Sequence, residues 1–254
     1  MARRPYDNVY SHWLIAGGGL RDGACVVARD SEGEVGGVCT FGTHLIPSTD
    51  RKEAVDAFAM LAQQVPPPRS IVGVRTVVER LWNGLRAAVP EPFAVRASQP
   101  VYALERAAFQ PDRSDADVAR ATPREIDEIA RHSAAMTAAE IGRGPRPDDP
   151  VFRARIERLI AAGKWWRYRV GGRLAFTCNV GSESPRTAQL QGVWTPPDMR
   201  GYGHATRGMS EICNRLLDEH PTLCLYVNDF NTAATALYER LGFARVGEFQ
   251  SIFL

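Results

Sequence analysis

The sequence predicts an α/β protein built from two successive domains with mixed sheets. Strand-like and helix-like segments alternate along its 254 residues, a length that fits one large or two small domains. Two strand-like runs are separated by Gly171-Gly172, a two-residue turn typical of a hairpin. Val72 to Trp82 also echoes Leu225 to Gly242, because in both stretches a strand leads to a helix containing E-R-L. This echo indicates that the second half repeats the first.

The N-terminal half is predicted to open with a hairpin and to continue with strand and helix units. Asp50 is the expected N-cap of the first helix, which the run Pro66-Pro67-Pro68 ends. Gly17 to Gly19 is expected to be a loop. The predicted segments are strands at Ala24 to Arg29 and Val35 to Ile46, a helix at Arg51 to Gln64, a strand at Ser70 to Val74, a helix at Thr76 to Ala88 and a strand at Val101 to Glu105.

The polar segment Gln110 to Asp117 is predicted to be a linker, which gives domains at residues 1–110 and 118–254. Thr122, with Pro123 and Glu125 after it, predicts a capping box at the start of a helix. The segments expected after this helix are a loop at Gly142 to Pro150, a helix at Val151 to Ala162, strands at Trp165 to Val170, Arg173 to Val180 and Ala188 to Thr195, and a closing strand at Arg245 to Leu254.

A glycine-rich segment, Q-G-V-W-T-P-P-D-M-R-G-Y-G-H-A at Gln191 to Ala205, joins a predicted strand to a predicted helix. After Gly201 and Gly203, the helix has no carboxylate before Glu211, so its positive end is uncompensated. Backbone N–H groups at such an end bind anions such as phosphate. The alternative is a surface turn with no ligand. The absence of G-K-[ST] and of G-x-G-x-x-G in this segment argues against a nucleotide loop of either familiar kind.

A second motif, L-C-L-Y-V-N-D-F-N-T-A-A-T-A-L-Y-E-R-L-G-F, covers Leu223 to Phe243. It predicts a strand, then a helix capped by Asn231 and ended by Gly242. The expected apolar stripe of this helix consists of Ala233, Ala234, Leu237 and Leu241. Tyr238 is expected at the edge of the stripe, which favours a functional hydroxyl, and the alternative is a core tyrosine.

Together the two motifs resemble those of the GNAT superfamily of acyl-CoA-dependent N-acyltransferases, which share an R/Q-x-x-G-x-G/A loop and an N-x-x-A-x-x-x-Y-x-x-x-G-F helix. The resemblance is closest to a tandem subgroup and implies two GNAT-like mixed-sheet domains, the first of them degenerate. His44 to Ala54 stands where the glycine loop would be and contains no glycine. The resemblance therefore implies that only the second domain is a catalytic N-acetyltransferase.

The resemblance also implies the roles of individual residues, with acetyl-CoA as co-substrate. The phenol of Tyr238 would protonate the departing thiolate, and Asn231 would contact the coenzyme arm. Gly192 would form a bulge that frees backbone groups. The remaining expected coenzyme contacts are Val193, Trp194 and Thr195 for the arm and the acyl carbonyl, and Arg200, Gly201, Tyr202, Gly203, His204 and Ala205 for the pyrophosphate.

The general base is not determined by the sequence. Gln189 and Gln191 stand on the strand where many family members have a carboxylate, and neither can take a proton. Glu140 is the preferred candidate because it precedes the loop expected to border the acceptor pocket. Glu183, Asp229 and a water molecule are alternatives. Three tryptophans could line that pocket or belong to the core: Trp165, Trp166 and Trp194.

The composition limits the classes of partner that the sequence predicts. A net charge of +2 is too small to predict a nucleic-acid or membrane partner. The five cysteines are expected to be reduced core residues, and the five histidines have no metal-ligand spacing, so no metal is expected. The basic pair in M-A-R-R is not followed by an apolar signal, which favours the cytoplasm.

The acceptor is expected to be an amine-bearing small molecule or protein, and the sequence leaves a homodimer open. The overall prediction is transfer of an acetyl or other acyl group from acyl-CoA to a primary amine. The alternative is a non-catalytic acyl-CoA sensor or interaction module, which the missing strand carboxylate favours. Assays of thiol release distinguish the two.

Overall fold

The computed structural model describes residues 5–20, 23–112 and 117–254. The chain forms two compact units. Unit 1 comprises Met1–Tyr102, Tyr226–Asn231 and Arg245–Leu254, and unit 2 comprises Ala103–Leu225 and Thr232–Ala244. The C-terminal strand therefore lies in unit 1, whereas the predicted domain limits, 1–110 and 118–254, are continuous in sequence. Those limits stay a prediction.

Unit 1 contains a mixed sheet with the strand order β1-β2-β3-β4-β11-β5. Its strands are β1 (Cys25–Arg29), β2 (Val35–Thr40), β3 (His44–Ser48), β4 (Ser70–Val74), β5 (Ala94–Glu105, to Tyr102 in this unit) and β11 (Ala244–Phe253, from Arg245 in this unit). Strands β1 and β2, and β2 and β3, pair antiparallel, whereas β3 and β4 are parallel. The last strand of the chain, β11, pairs antiparallel with β4.

The helices of unit 1 are α1 (Val9–Ala16), α2 (Lys52–Ala62) and α3 (Arg75–Leu85). Helices α2 and α3 bury an apolar face in a core that includes Phe58, Ile71 and Leu81. A Cβ atom on Gly84 would lie 2.8 Å from the Cβ of Ala59, so the glycine allows the two helices to approach closely. The prediction from sequence missed α1, which precedes the expected Gly17 to Gly19 loop.

Two expectations for unit 1 are wrong in detail. Asp50 does not cap α2, because Arg51 occupies the N-cap position with no side-chain hydrogen bond to the helix. The single strand predicted from Val35 to Ile46 is divided into β2 and β3. Gly42 has a φ of 133° there, and the Thr40 hydroxyl both donates to the carbonyl of His44 and accepts from the N–H of Ile46. These bonds stabilise a turn within an otherwise strand-like sequence.

Unit 2 contains a sheet with the order β10-β9-β8-β7-β6. Its elements are β6 (Val118–Arg120), β7 (Trp165–Val170), β8 (Arg173–Glu183), β9 (Thr187–Trp194), β10 (Thr222–Tyr226, to Leu225 in this unit), α4 (Ile126–Ile141), α5 (Pro150–Ala161), α6 (His204–Glu219) and α7 (Thr232–Arg240). Strands β6 to β9 pair antiparallel in succession, and β10 runs parallel to β9. The sheet is therefore mixed, as predicted.

Helices α4 and α5 pack against one face of this sheet and α6 against the other. Ile129 of α4 and Ile156 of α5 share a buried cluster with Trp165 of β7. On the opposite face, the ring of Phe176 fills the space beside Gly208 of α6. A side chain at Gly208 would collide with that ring, so the glycine lets α6 lie close to β8.

Two local predictions for unit 2, the hairpin turn and the capping box, are confirmed. Gly171 and Gly172 have φ angles of 54° and 79°, as a two-residue hairpin turn requires. Thr122 and Glu125 form the predicted capping box, which begins a short 3₁₀ turn that leads into α4. None of the helices within residues 5–20, 23–112 and 117–254 is long and apolar enough to cross a membrane.

Part of the predicted linker is packed against unit 2. The N–H of Gln110 donates to the carbonyl of Leu241, and the N–H of Asp112 donates to the hydroxyl of Ser210. These bonds fix the position of residues 110–112, although their polar composition predicted a linker. Residues 113–116 of the linker, and the basic pair near the N-terminus, lie outside the described residues.

Candidate functional site

The glycine-rich segment connects β9 to α6 with the predicted backbone conformation. Gly201 and Gly203 have φ angles of 83° and 74°, which are left-handed values that a side chain would strain. Helix α6 begins at His204, and Gly203 is its N-cap without a side-chain hydrogen bond. Ala205 lies in the first helical turn. At positions 201 and 203, no side chain therefore covers the first backbone N–H groups of α6.

The charge around this helix end is positive. The first turn of α6, a helix of 16 residues, contains no acidic residue. Arg200 donates from Nε to the carbonyl of Thr195 at 3.1 Å, and its guanidinium carbon lies 4.7 Å from the centre of the Trp194 ring. Together the helix dipole and Arg200 favour an anion at this end.

Arg207 is a further residue of this loop that the sequence analysis missed. Its Nη2 donates to the carbonyl of Tyr202 at 2.7 Å and to Nδ1 of His204 at 3.0 Å. Because the guanidinium can only donate, Nδ1 of His204 is unprotonated. Burial, followed by the charge of Arg207, lowers the pKa of His204. Arg207 lies one turn into the helix, three residues after His204, and this spacing is a signal that could have identified it.

The His204 ring contacts the rings of Tyr202 in the loop and of Tyr168 on β7. The Tyr202 and His204 rings are 5.9 Å apart and nearly parallel, whereas Tyr168 meets His204 edge to face at 5.7 Å. Tyr202 is 69% exposed and His204 is 8% exposed. The loop therefore has a fixed inner ring and an aromatic surface available to a ligand.

Strand β9 has the predicted bulge at Gly192. The register with β8 shifts between the pairs Thr177–Trp194 and Asn179–Gln191, and Gly192 has a φ of 63°. The Thr177 hydroxyl donates to the carbonyl of Gly192 at 3.2 Å. The bulge turns the backbone of β9 out of the regular ladder immediately before Val193.

Beyond the bulge, one edge of β9 is open. The parallel register with β10 ends at Cys224–Gln189, and within the described chain residues 190–194 have no partner on β10. Next in the chain, Thr195 Oγ1 is buried and has no hydrogen-bond partner in the described structure. Backbone groups of Val193 and Trp194, together with this hydroxyl, are placed to bind a polar chain that approaches the loop.

Tyr238 is buried, with 4% of its surface exposed, which corrects its expected position at the edge of the apolar stripe. Leu237 is half-buried and Ala233 exposed, so the buried face of α7 is rotated toward Tyr238 and Leu241. Burial raises the pKa of the phenol, and negative charge on Cys178, Glu140 and Cys213 would raise it further. The hydroxyl therefore keeps its proton throughout the neutral range.

The carboxylates proposed as the general base occupy different surroundings. Glu140, at the end of α4, is half-buried and close enough to raise the pKa of Tyr238 by its charge. Glu183 instead pairs with Lys164 at 2.6 Å. Asp229 is exposed and belongs to unit 1. Of these three, Glu140 is the one whose charge acts on the pKa of Tyr238.

Other predicted residues have clear positions. Asn231 is exposed, directly precedes α7 and belongs to unit 1. Gln191 donates from Nε2 to Gln189 Oε1 at 2.9 Å, so the two glutamines bind each other. Trp165 and Trp166 are buried, as core residues are, and Trp194 is half-buried.

The corresponding segment of unit 1, between β3 and α2, is filled by its own side chains. Thr49 donates to the carbonyl of Gly36 at 2.7 Å and accepts from the N–H of Arg51 at 3.0 Å. Arg51 pairs with Asp30 at 2.8 Å. This segment thus makes hydrogen bonds and an ion pair through its own side chains and contains no glycine.

Two family models match the chain, one in its N-terminal part and one in its C-terminal part. Residues 24–129 match the model of a domain of unknown function, DUF4081. Residues 181–253 match the model of FR47-like proteins, and this range includes the glycine loop and α7. No curated protein matches the chain.

Solved structures match nearly the whole chain at low identity. A GCN5-related N-acetyltransferase from Sphaerobacter thermophilus is 14% identical, with a TM-score of 0.60 and coverage of 97% of this chain and 90% of that one. A GNAT-family structure from Novosphingobium aromaticivorans is 20% identical, with a TM-score of 0.58 and coverage of 98% and 96%. A GNAT acetyltransferase from Colwellia psychrerythraea is 13% identical, with a TM-score of 0.57 and coverage of 95% and 96%.

The chain has the fold of the GNAT acetyltransferases. The chain combines an N-terminal segment that matches DUF4081 with a C-terminal segment that matches FR47-like proteins. The resemblance inferred from the two motifs, and the tandem order of the halves, are thereby confirmed.

Proposed function

We propose that unit 2 transfers an acyl group, most simply acetyl, from coenzyme A to a primary amine. The observation that carries this proposal is the continuity between the bulged, open edge of β9 and the uncompensated N-terminus of α6. The edge offers backbone groups to a polar arm, and the glycine loop offers N–H groups and Arg200 to a pyrophosphate. A molecule with a long polar arm and a phosphate end, such as an acyl-CoA, fits both parts.

The reaction needs a proton at sulfur and an unprotonated amine. The amine nitrogen attacks the thioester carbonyl carbon, the C–N bond forms and the C–S bond breaks. Tyr238 gives its hydroxyl proton to the leaving sulfur, and Glu140 takes the proton that the nitrogen loses. Return of that proton from Glu140 to Tyr238 restores both groups, so the net transfer is from nitrogen to sulfur.

The raised pKa of Tyr238 affects this step in two ways. The phenol is always protonated at neutral pH, but it is a weaker acid than an exposed tyrosine. Desolvation also raises the proton affinity of a thiolate in the same surroundings. Burial therefore shifts the proton affinities of the phenolate and of the leaving thiolate in the same direction, so the loss of acidity at Tyr238 is offset by the greater basicity of the sulfur.

A binding module is the second candidate, and the paired glutamines of β9 favour it. Gln189 and Gln191 are hydrogen-bonded to each other and cannot accept the amine proton. Thermal unfolding with acetyl-CoA tests binding, and thiol release over a panel of primary amines tests transfer. Stabilisation together with amine-dependent release supports the enzyme. Stabilisation without release over the whole panel supports the sensor, and no stabilisation contradicts both.

A further inference from the structure

Among the buried polar atoms of unit 2 that have no hydrogen-bond partner in the described structure, two lie on facing residues of neighbouring strands. They are Oδ1 of Asn179, an acceptor on β8, and Nε1 of Trp165, a donor on β7. The residues are only 5% and 3% exposed. Each unpaired group of this kind costs roughly 1–3 kcal/mol when buried. A fold tolerates that cost where a ligand or an ordered water completes the bonds.

Both side chains converge on the bulge of β9. Trp165 lies opposite Asn179, and Asn179 lies opposite Gln191, so the three form one row across the sheet. A Cβ atom on Gly192 would lie 2.6 Å from Asn179 Nδ2 and 4.0 Å from Trp165 Cζ2. The absence of a side chain at Gly192 thus lets the Asn179 amide lie directly against the bulge, with the Trp165 ring next to it.

The row lies on the face of the sheet opposite α6. Trp165 packs with Ile156 of α5, and Gln191 contacts Arg155 of the same helix. Cys178, next to Asn179 on β8, points to the other face because successive strand residues alternate. A molecule bound by the pair therefore reaches the bulge from the side away from the glycine loop of α6.

We infer that Asn179 and Trp165 bind the acceptor of unit 2, and that this acceptor is an α-amino carbonyl compound, such as an amino-acid amide or a peptide N-terminus. Asn179 Oδ1 accepts from the amine, and Trp165 Nε1 donates to the carbonyl oxygen beside it. An alkyl amine or a lysine side chain has no carbonyl next to its amine. This inference rests on the proposed function, since it identifies the amine that the transfer uses.

The charges near the pair suit an unprotonated amine. Asn179, Trp165 and Gln191 are uncharged, and Nη2 of Arg155 donates to Gln191 Oε1 at 3.4 Å. A guanidinium in this position disfavours an ammonium ion and so favours the neutral nitrogen. A neutral nitrogen with its lone pair free is the form that attacks a thioester.

The indole N–H of Trp165 can be observed directly. The chain has five tryptophans, so ¹⁵N-labelled protein gives a small set of indole signals, which sequential assignment identifies without any substitution. Glycinamide is the probe and n-propylamine the matched amine without a carbonyl. Trp166 provides an internal control, because its buried Nε1 is also unpartnered while its ring lies 3.5 Å from the guanidinium carbon of Arg120.

Glycinamide should shift the Trp165 signal downfield and saturably, n-propylamine should not, and the Trp166 signal should stay in place with either amine. Asn179→Leu should weaken glycinamide binding about tenfold, as expected for one lost buried hydrogen bond. An unchanged Trp165 signal, or an equal shift with n-propylamine, would overturn the inference and leave a structural water as the partner. Thiol release is measured separately, so a lack of transfer would count against the proposed function and not against this binding pair.

Discussion

At the scale of single residues, the site depends on a few side chains whose surroundings determine their chemistry. Burial keeps the proton on Tyr238, and the bond from Arg207 keeps Nδ1 of His204 unprotonated. Glycines at 201 and 203 supply backbone that no other residue adopts without strain. Substitutions at Tyr238 and at Gly203 therefore have defined outcomes.

Tyr238→Phe removes the hydroxyl and keeps the ring. If the hydroxyl protonates the leaving sulfur, kcat for acyl transfer should fall by roughly 10² to 10⁴, the usual contribution of a general acid. The affinity for acetyl-CoA, measured by calorimetry, should be nearly unchanged. A variant that unfolds early but keeps normal specific activity would instead identify Tyr238 as a packing residue.

Gly203→Val should abolish the thermal stabilisation of the protein by acetyl-CoA. A side chain here is strained by roughly 1–2 kcal/mol and stands before the first N–H groups of α6. Gly163→Val is the matched control, because Gly163 has a φ of 65° with open space around it. Both variants should melt earlier, but only the control should keep the coenzyme shift. Retained stabilisation in Gly203→Val would show that the coenzyme does not use this loop.

At the scale of secondary structure, the capping box before α4 also connects this helix to β7. Glu125 accepts from the N–H of Thr122 at 2.8 Å, and Arg169 donates to the same carboxylate at 3.0 Å. Although burial opposes it, these bonds hold the pKa of Glu125 below its usual value. Its contribution to stability is therefore present above the unfolded pKa of about 4.3 and is lost as the pH falls through the lower folded value.

Glu125→Gln should consequently lower the free energy of unfolding at pH 7 by about 1–3 kcal/mol, the effect of weakening hydrogen bonds to a charged group. The difference from the unsubstituted protein should shrink as the pH falls from about 4.3 through the lower folded pKa of Glu125, below which both proteins carry a neutral side chain. Urea unfolding at several pH values measures this. A difference that stays constant down to about pH 3 would mean that the charge of Glu125 does not contribute.

Elements with local signals were predictable, whereas those that depend on packing were not. The Gly171-Gly172 turn, the capping box at Thr122 and the Gly192 bulge follow from the conformations that these residues favour. The rotation of α7 that buries Tyr238 depends on what the helix packs against, which no short stretch specifies. The unpartnered Asn179 and Trp165 are fourteen positions apart and meet only through strand register.

At the scale of the whole molecule, each unit has its own buried thiols. All five cysteines are free and buried, as predicted. Burial raises the pKa of Cys39 in unit 1 and of Cys213 in unit 2, and it raises the pKa of Cys178 to about 12. A raised folded pKa stabilises the protein below the unfolded pKa, and this stabilisation is lost as the pH rises.

The free energy of unfolding should therefore decrease above about pH 8.5, by up to about 1.4 kcal/mol per pH unit for each buried thiol. Cys178→Ala should make the decrease less steep, because alanine has no proton to lose. Denaturant unfolding between about pH 7 and pH 10 under reducing conditions measures the slope. Equal slopes for the variant and the unsubstituted protein would show that Cys178 is not held as the neutral thiol.

The central claim, that unit 2 moves an acyl group to an amine, is tested most directly by quantifying both products of one reaction. The protein is incubated with acetyl-CoA and with each of a panel of primary amines that includes glycinamide, free thiol is measured by absorbance, and acetylated amine is measured by mass spectrometry. With an amine that serves as acceptor, the two products should form in equal amounts, and both should be reduced in Tyr238→Phe. Thiol formed without acetylated amine, or neither product despite bound acetyl-CoA, across the whole panel would contradict the central claim.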